Sequence, residues 1–135
     1  MTVIAADATL GVMCSDSQWT ADGEKGTTRK VWRIGDSLVG FAGDIKAINE
    51  TRAWLKNPKK PIPKGDVTAL IMTGHKLQVW STADGFHDVE QKFAIGTGGQ
   101  VARAALKLGA ACPLAIAIAK ELCDGCGGRT RTYHL

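Results

Sequence analysis

Met1-Thr2-Val3-Ile4-Ala5 places a hydroxyl residue directly behind a methionine and at the head of an apolar run. If Met1 is removed, Thr2 becomes the first residue and carries both a hydroxyl and a free amine. Such a residue holds a nucleophile and its own base within hydrogen-bond reach. An α-amine has a reference pKa of roughly 8, close to the working pH that favours general-base catalysis. A β-branched residue starting an edge strand also accounts for a lone threonine here, so the rest of the chain has to decide.

Working outward, Thr2 to Ala6 reads as a strand and Gly11 to Ser15 as a second, closed by Asp16 and Ser17. Gln18 to Gly26 reads as a polar loop. Thr28 to Ile34 alternates with period two, and Gly35-Asp36 makes a hairpin turn into Leu38-Val39-Gly40-Phe41. Gly40-Phe41-Ala42-Gly43 is a small, crowded motif of the kind used where backbone approaches something closely. Asp44 is a candidate N-cap for a helix from Ile45 to Lys56 with Ile45, Ile48 and Leu55 on one face.

Asn57 to Gly65 carries Pro58, Pro61 and Pro63 with Lys59, Lys60 and Lys64, and reads as a stiff, solvated linker. Asp66 to Thr73 and Lys76 to Ser81 form a hairpin across Gly74-His75. Phe93 to Ile95 is a short buried strand ending in Gly96-Thr97-Gly98-Gly99. Helices follow from Gln100 to Leu108, apolar at Val101, Ala104, Ala105 and Leu108, and from about Pro113 to Leu122. Arg129 to Leu135 alternates as a last strand. Helices do not alternate regularly with single strands, which argues against a doubly wound fold. Two packed antiparallel sheets with helices outside are expected instead.

At 135 residues, with 44% hydrophobic and 22% charged, the chain fits one soluble domain over residues 1–135. No charged region followed by an apolar stretch opens it, so no secretory signal is expected. No apolar run is long enough to span a membrane, and a cytoplasmic location is the expectation. The net charge of +4 is scattered, so no nucleic-acid partner is expected. Cys14, Cys112, Cys123 and Cys126 read as reduced thiols. Cys123-Asp124-Gly125-Cys126 has a CxxC spacing but no further pair or nearby histidine to complete a zinc site. It reads as a pair of structural turn cysteines; no metal and no cofactor are expected.

Thr2, Ser15-Asp16-Ser17, Lys30 in Thr28-Arg29-Lys30-Val31, Gly40-Phe41-Ala42-Gly43, and Ile95-Gly96-Thr97-Gly98-Gly99 ahead of a helix form a specific series. In that order and spacing the chain resembles the proteasome β-subunit family, in its HslV-like form, from Thr2 to about Gly128. The resemblance implies an α+β fold, a four-layer α-β-β-α sandwich, and an N-terminal nucleophile hydrolase cutting peptide bonds. It implies Thr2 as nucleophile and base, Lys30 as the cation beside it, Asp16 as the partner of Lys30, and Gly40 as oxyanion donor. Thr97 stands where the family has serine. Asp124 resembles the family's aspartate near the C-terminal helix, with Gly127 at a serine position.

Relatives carry two helices where this chain has one followed by the linker, so one helical layer is expected to be reduced. A homo-oligomeric ring acting on peptides or unfolded protein is the implied assembly. The missing helix lies toward the ATPase unfoldase of relatives, which weighs against that partner here. Two other readings stand beside the threonine peptidase: an inactive scaffold on the same fold, and an amidohydrolase of small molecules.

Overall fold

The computed structural model describes residues 1–59 and 61–135; Lys60 of the basic linker lies outside the described residues. The chain runs β1 (Ile4–Asp7), β2 (Val12–Ser15), β3 (Gln18–Ala21), β4 (Glu24–Thr27), β5 (Val31–Ile34), β6 (Ser37–Gly43) and α1 (Ile45–Lys56). It continues through β7 (Val67–Thr73), β8 (Lys76–Ser81), β9 (Gly85–Val89), β10 (Lys92–Ile95), α2 (Gly99–Lys107), α3 (Cys112–Leu122) and β11 (Arg131–His134). Four strands form one antiparallel sheet in the order β10-β1-β2-β11, and five form another in the order β5-β6-β7-β8-β9.

Strand alternation sorts the apolar residues into layers, because successive side chains face opposite sides of a sheet. Val3, Ala5 and Cys14 face α2 and α3, where Ala102, Ala105, Ile116 and Ala119 meet them. Ile4, Ala6 and Met13 face the other way and pack on Leu38, Leu70 and Met72 of the second sheet. Val39, Phe41, Ala69 and Ile71 line the far side of that sheet, beneath Ala47 of α1. The result is the four-layer α-β-β-α sandwich expected from the sequence. Gly40 sits between the sheets: a Cβ there would come within 2.6 Å of Ile4 Cγ2. The absent side chain sets how closely the two sheets approach.

Between Lys56 and Val67 no second helix is formed among the described residues, so α1 alone covers the five-stranded sheet. Aromatic stacking covers part of what remains: Trp54 lies 5.2 Å from Trp80 and 6.2 Å from Phe86, centroid to centroid. Phe86 stays about half exposed, at 52%. Asp44 caps α1 as expected, its carboxylate accepting from Ala47 N–H at 3.2 Å.

Three expectations are corrected. Gln18 to Gly26 is no loop; β3 and β4 pair across Asp22-Gly23, both at positive φ. An Asp-Gly pair is a strong hairpin signal, but the polar flanking residues hid the strands. Gly26 leaves room for the Trp19 ring, with which any side chain there would collide. β9 was also missed. The helix faces shift too: α1 buries Ala47 and Thr51 while Ile45 is 61% exposed, and α2 buries Ala102, Ala105 and Leu106 while Leu108 is 90% exposed.

Candidate active site

Strand ends gather the candidate residues at one edge of the sandwich. Thr2 lies just ahead of β1, Asp16 just after β2, and Lys30 just before β5. β1 and β2 pair antiparallel with Ile4 opposite Ser15, so the next position outward sets Val3 against Asp16. Asp16 N–H donates to the Val3 carbonyl at 3.2 Å, and Val3 N–H donates back to Asp16 Oδ1 at 3.1 Å. The carboxylate is therefore held by the sheet that carries Thr2.

Lys30 completes the cluster. Its Nζ donates to Asp16 Oδ1 at 2.8 Å, to Thr2 Oγ1 at 3.1 Å and to the Met1 carbonyl at 3.0 Å. An ammonium has three donors, and each one has an acceptor. Asp16 is fully buried and Lys30 nearly so; two buried charges are tolerable only when paired and hydrogen-bonded. The second carboxylate oxygen, Oδ2, accepts from Gly127 N–H at 3.1 Å. The structure thus brings Thr2, Asp16 and Lys30 into one hydrogen-bonded group.

Gly40 is not part of it. It faces Ile4 and Met13 in the inter-sheet core and borders neither cavity beside Thr2. Gly43, at the end of the same motif, borders both. One cavity, about 160 Å³, is walled by Trp32, Phe41, Ile45 and Ile48 with Arg29 and Thr20. The other, about 300 Å³, is bordered by Thr2, Gly43, Gly96 and Thr97. Asp44 N–H donates to Asp66 O on the β7 side, whereas Phe41 N–H donates to Lys30 O on the β5 side. Alternation along the strand therefore aims the Gly43 N–H past the end of β5, toward the space beside Thr2. Of the two glycines in the motif, Gly40 lies in the core and Gly43 beside Thr2.

Thr97 reaches the wall of the second cavity, but its side chain makes no hydrogen bond to Thr2 among the described residues. Its neighbour Gly98 does the holding: Gly98 N–H donates to the Thr2 carbonyl at 3.1 Å. Asp124 is exposed and makes no contact with Thr2 among the described hydrogen bonds. The Met1 side chain lies over Gly125, beside it, where an added side chain would collide with the thioether.

The turn after α3 matters through its backbone. Ser17 N–H and Gln18 N–H both donate to the Gly127 carbonyl at 3.1 Å, and the Ser17 hydroxyl donates to Arg129 O at 2.7 Å. Gly127 therefore acts through its peptide groups, which residue-type reasoning at a serine position could not show. Burial, followed by the hydrogen bond it donates to Cys123, pushes the Cys126 thiol up to about 12. Cys14, on the helix-facing side, is drawn down to about 7, chiefly by a hydrogen bond from Cys112.

No metal-holding group of three or more His, Cys, Asp or Glu occurs among the described residues. No helix among them is long and apolar enough to cross a membrane.

No family model and no curated protein matches the sequence. Solved structures do. Eukaryotic HslV from Trypanosoma brucei superposes with a TM-score of 0.74 at 18% identity, covering 98% of each chain. Thiobacillus denitrificans BPH, solved in complex with epoxomicin, gives 0.71 at 16% identity, over 100% of this chain and 98% of that one. A Gly-1 mutant of Anbu from Hyphomicrobium sp. strain MC1 gives 0.69 at 11%, over 99% and 82%. The fold is that of the HslV-type N-terminal nucleophile hydrolases.

Proposed function

We propose that the chain is a threonine peptidase in which Thr2, once Met1 is removed, is both nucleophile and base. The observation that carries this reading is the buried Lys30 ammonium, 3.1 Å from Thr2 Oγ1 and 2.8 Å from Asp16. Thr2 Oγ1 attacks the scissile carbonyl while the freed α-amine takes the hydroxyl proton, through a water, and passes it to the leaving amine. Water then hydrolyses the ester. The positive charge of Lys30 lowers the pKa of hydroxyl and amine alike, and Asp16 keeps that charge in place. Loss of Met1 removes one of the three Lys30 acceptors and leaves an ammonium proton for the new amine's surroundings.

Gly43, rather than Gly40, is the backbone donor we assign to the developing oxyanion. Its N–H is aimed beside Thr2 and its missing side chain leaves the approach open; such a donor is worth about 10²–10³ in rate. Thr97 borders the same cavity and orients the incoming peptide or the amine through its hydroxyl. Asp124 has a supporting role only if the turn closes over the space that Met1 vacates. Substrates are peptides or unfolded protein, taken without a cofactor by a single-domain subunit of a cytoplasmic, self-compartmentalised ring. An ATPase unfoldase is not expected to dock where the second helix is missing.

One observation favours a second reading, an inactive scaffold: Asp124 is exposed and out of reach of Thr2. Intact mass of untagged protein, followed by labelling with a threonine-directed electrophile and assay on a fluorogenic peptide, separates the two. The peptidase requires a chain lacking Met1 that is labelled on Thr2 and cleaves. Trimmed protein that neither reacts nor cleaves is the scaffold.

A further inference from the structure

Cys123 and Cys126 close the end of α3 in a geometry that a structural turn does not require. Their sulfurs lie 3.2 Å apart, with the Cys126 thiol directed at Cys123 Sγ. Cys126 N–H donates to the Cys123 carbonyl at 3.1 Å, so the two are the first and last residues of a hydrogen-bonded turn. Such a turn keeps its end Cα atoms within about 7 Å, and disulfides span about 4.4–6.8 Å. A bond therefore forms with only a local movement of sulfur and turn. Cys123 is half-buried and Cys126 buried, so one thiol is open to solvent and the other waits behind it.

The position of the pair matters more than its chemistry. The residue after Cys126 is Gly127, whose N–H holds Asp16 Oδ2 and whose carbonyl anchors Ser17 and Gln18. The Cys126 sulfur packs against Gly98, where a Cβ would lie 3.2 Å from it. Gly98 in turn holds the Thr2 carbonyl. Movement of Cys126 is thus passed to both supports of the Thr2, Lys30 and Asp16 group.

We infer that Cys123 and Cys126 are a redox-reactive dithiol, oxidised to a disulfide by low-molecular-weight disulfides, and that this modification displaces Gly127 from Asp16. The Cys123 thiolate attacks a sulfur of oxidised glutathione, forming a mixed disulfide and releasing one glutathione thiolate. Cys126 then gives up its proton and attacks Cys123 Sγ, releasing the second glutathione. The protein loses two protons and two electrons, and both electrons reduce the glutathione disulfide. The high pKa of Cys126 makes the second step the slow one and leaves Cys123 as the first site of attack. The effect on turnover rests on the threonine-peptidase reading; the disulfide does not.

The test equilibrates the full chain in glutathione buffers of rising oxidised fraction, quenches with acid, and maps the peptides by mass. The expected product has lost two hydrogens, located between residues 123 and 126. Cys126→Ser should instead trap a glutathione adduct on Cys123. Hydrogen exchange at the Gly127 amide, independent of any activity, should quicken in the oxidised protein. Peptide cleavage, where Met1-free protein cleaves at all, should fall by about 10²-fold, as for a small misplacement of catalytic groups. Reduction should restore it, and Cys123→Ser should be insensitive to the buffer. If the pair stays reduced in oxidised glutathione alone, or Gly127 exchange is unchanged by the bond, the inference is wrong. A redox-dependent Gly127 amide in protein that never cleaves would uphold it while overturning the peptidase.

Discussion

The Nζ of Lys30 stands 3.1 Å from Thr2 Oγ1, in a site from which water is largely excluded. Two residues separated by 28 positions are joined because β1 and β5 belong to different sheets and begin at the same edge. The contact has a physical cost, since a buried ammonium needs a buried carboxylate. Asp16 supplies it through Val3, Gly127 and the ammonium itself.

Thr2→Ala removes the proposed attacking atom and leaves every backbone bond of the site in place. Peptide cleavage should fall to background, a loss of about 10³-fold or more. Native mass spectrometry should show the same oligomer as the parent. Cleavage within a few fold of the parent would place the nucleophile elsewhere.

Lys30→Met tests charge and structure together. It leaves Asp16 buried without its cation, so stability should drop by about 3–5 kcal/mol in urea denaturation. Adding Asp16→Asn should recover most of that loss, because the uncompensated charge is gone. Activity should return in neither variant. Recovery of cleavage in the double variant would reduce Lys30 to a structural role.

Much of this was legible beforehand. The order of elements was enough for two packed sheets with helices outside, the four layers were what the resemblance implied, and Asp44 announced α1. The cluster of Thr2, Asp16 and Lys30 came from motif order and the resemblance it carries, since nothing local in the chain says that residues 2 and 30 meet. What stayed hidden was carried by backbone. Gly127 and Gly98 act through N–H and carbonyl groups that no side chain signals. Gly40 and Gly43 are indistinguishable as letters, and only the strand's alternation tells which is in the core. The hairpin at Asp22-Gly23 was obscured because it lies outside the sandwich and needs no apolar face.

Gly40→Ala and Gly43→Ala should therefore fail differently. At Gly40 the new methyl meets Ile4 Cγ2 in the core, and overpacking of this kind costs about 1–3 kcal/mol. Folded protein should keep its turnover within a few fold. Gly43 has φ +132°, and a side chain there collides with the Asp66 carbonyl. The strand end must move, taking the N–H with it, and turnover per folded molecule should fall by about 10²-fold. Equal losses of turnover in the two variants would remove the basis for choosing Gly43.

Alkaline pH offers a separate measure of the turn behind Asp16. Cys126 has its pKa raised from 9.0 to about 12, first by burial and then by the hydrogen bond it donates to Cys123. A thiol whose folded pKa is raised favours the folded state while it stays protonated. That contribution is complete below pH 9, where both states hold the proton, and is lost as the unfolded chain ionises between pH 9 and 12. The stability advantage of the parent over Cys126→Ala, measured by urea denaturation under reducing conditions, should therefore shrink as pH rises from 8 to about 10.5. Cys112 is raised in the same direction, so both proteins should weaken on the alkaline side and only their difference reports on Cys126. A gap that holds constant across that range would mean the Cys126 thiol is open to water, and that the turn holding Asp16 is looser than its hydrogen bonds indicate.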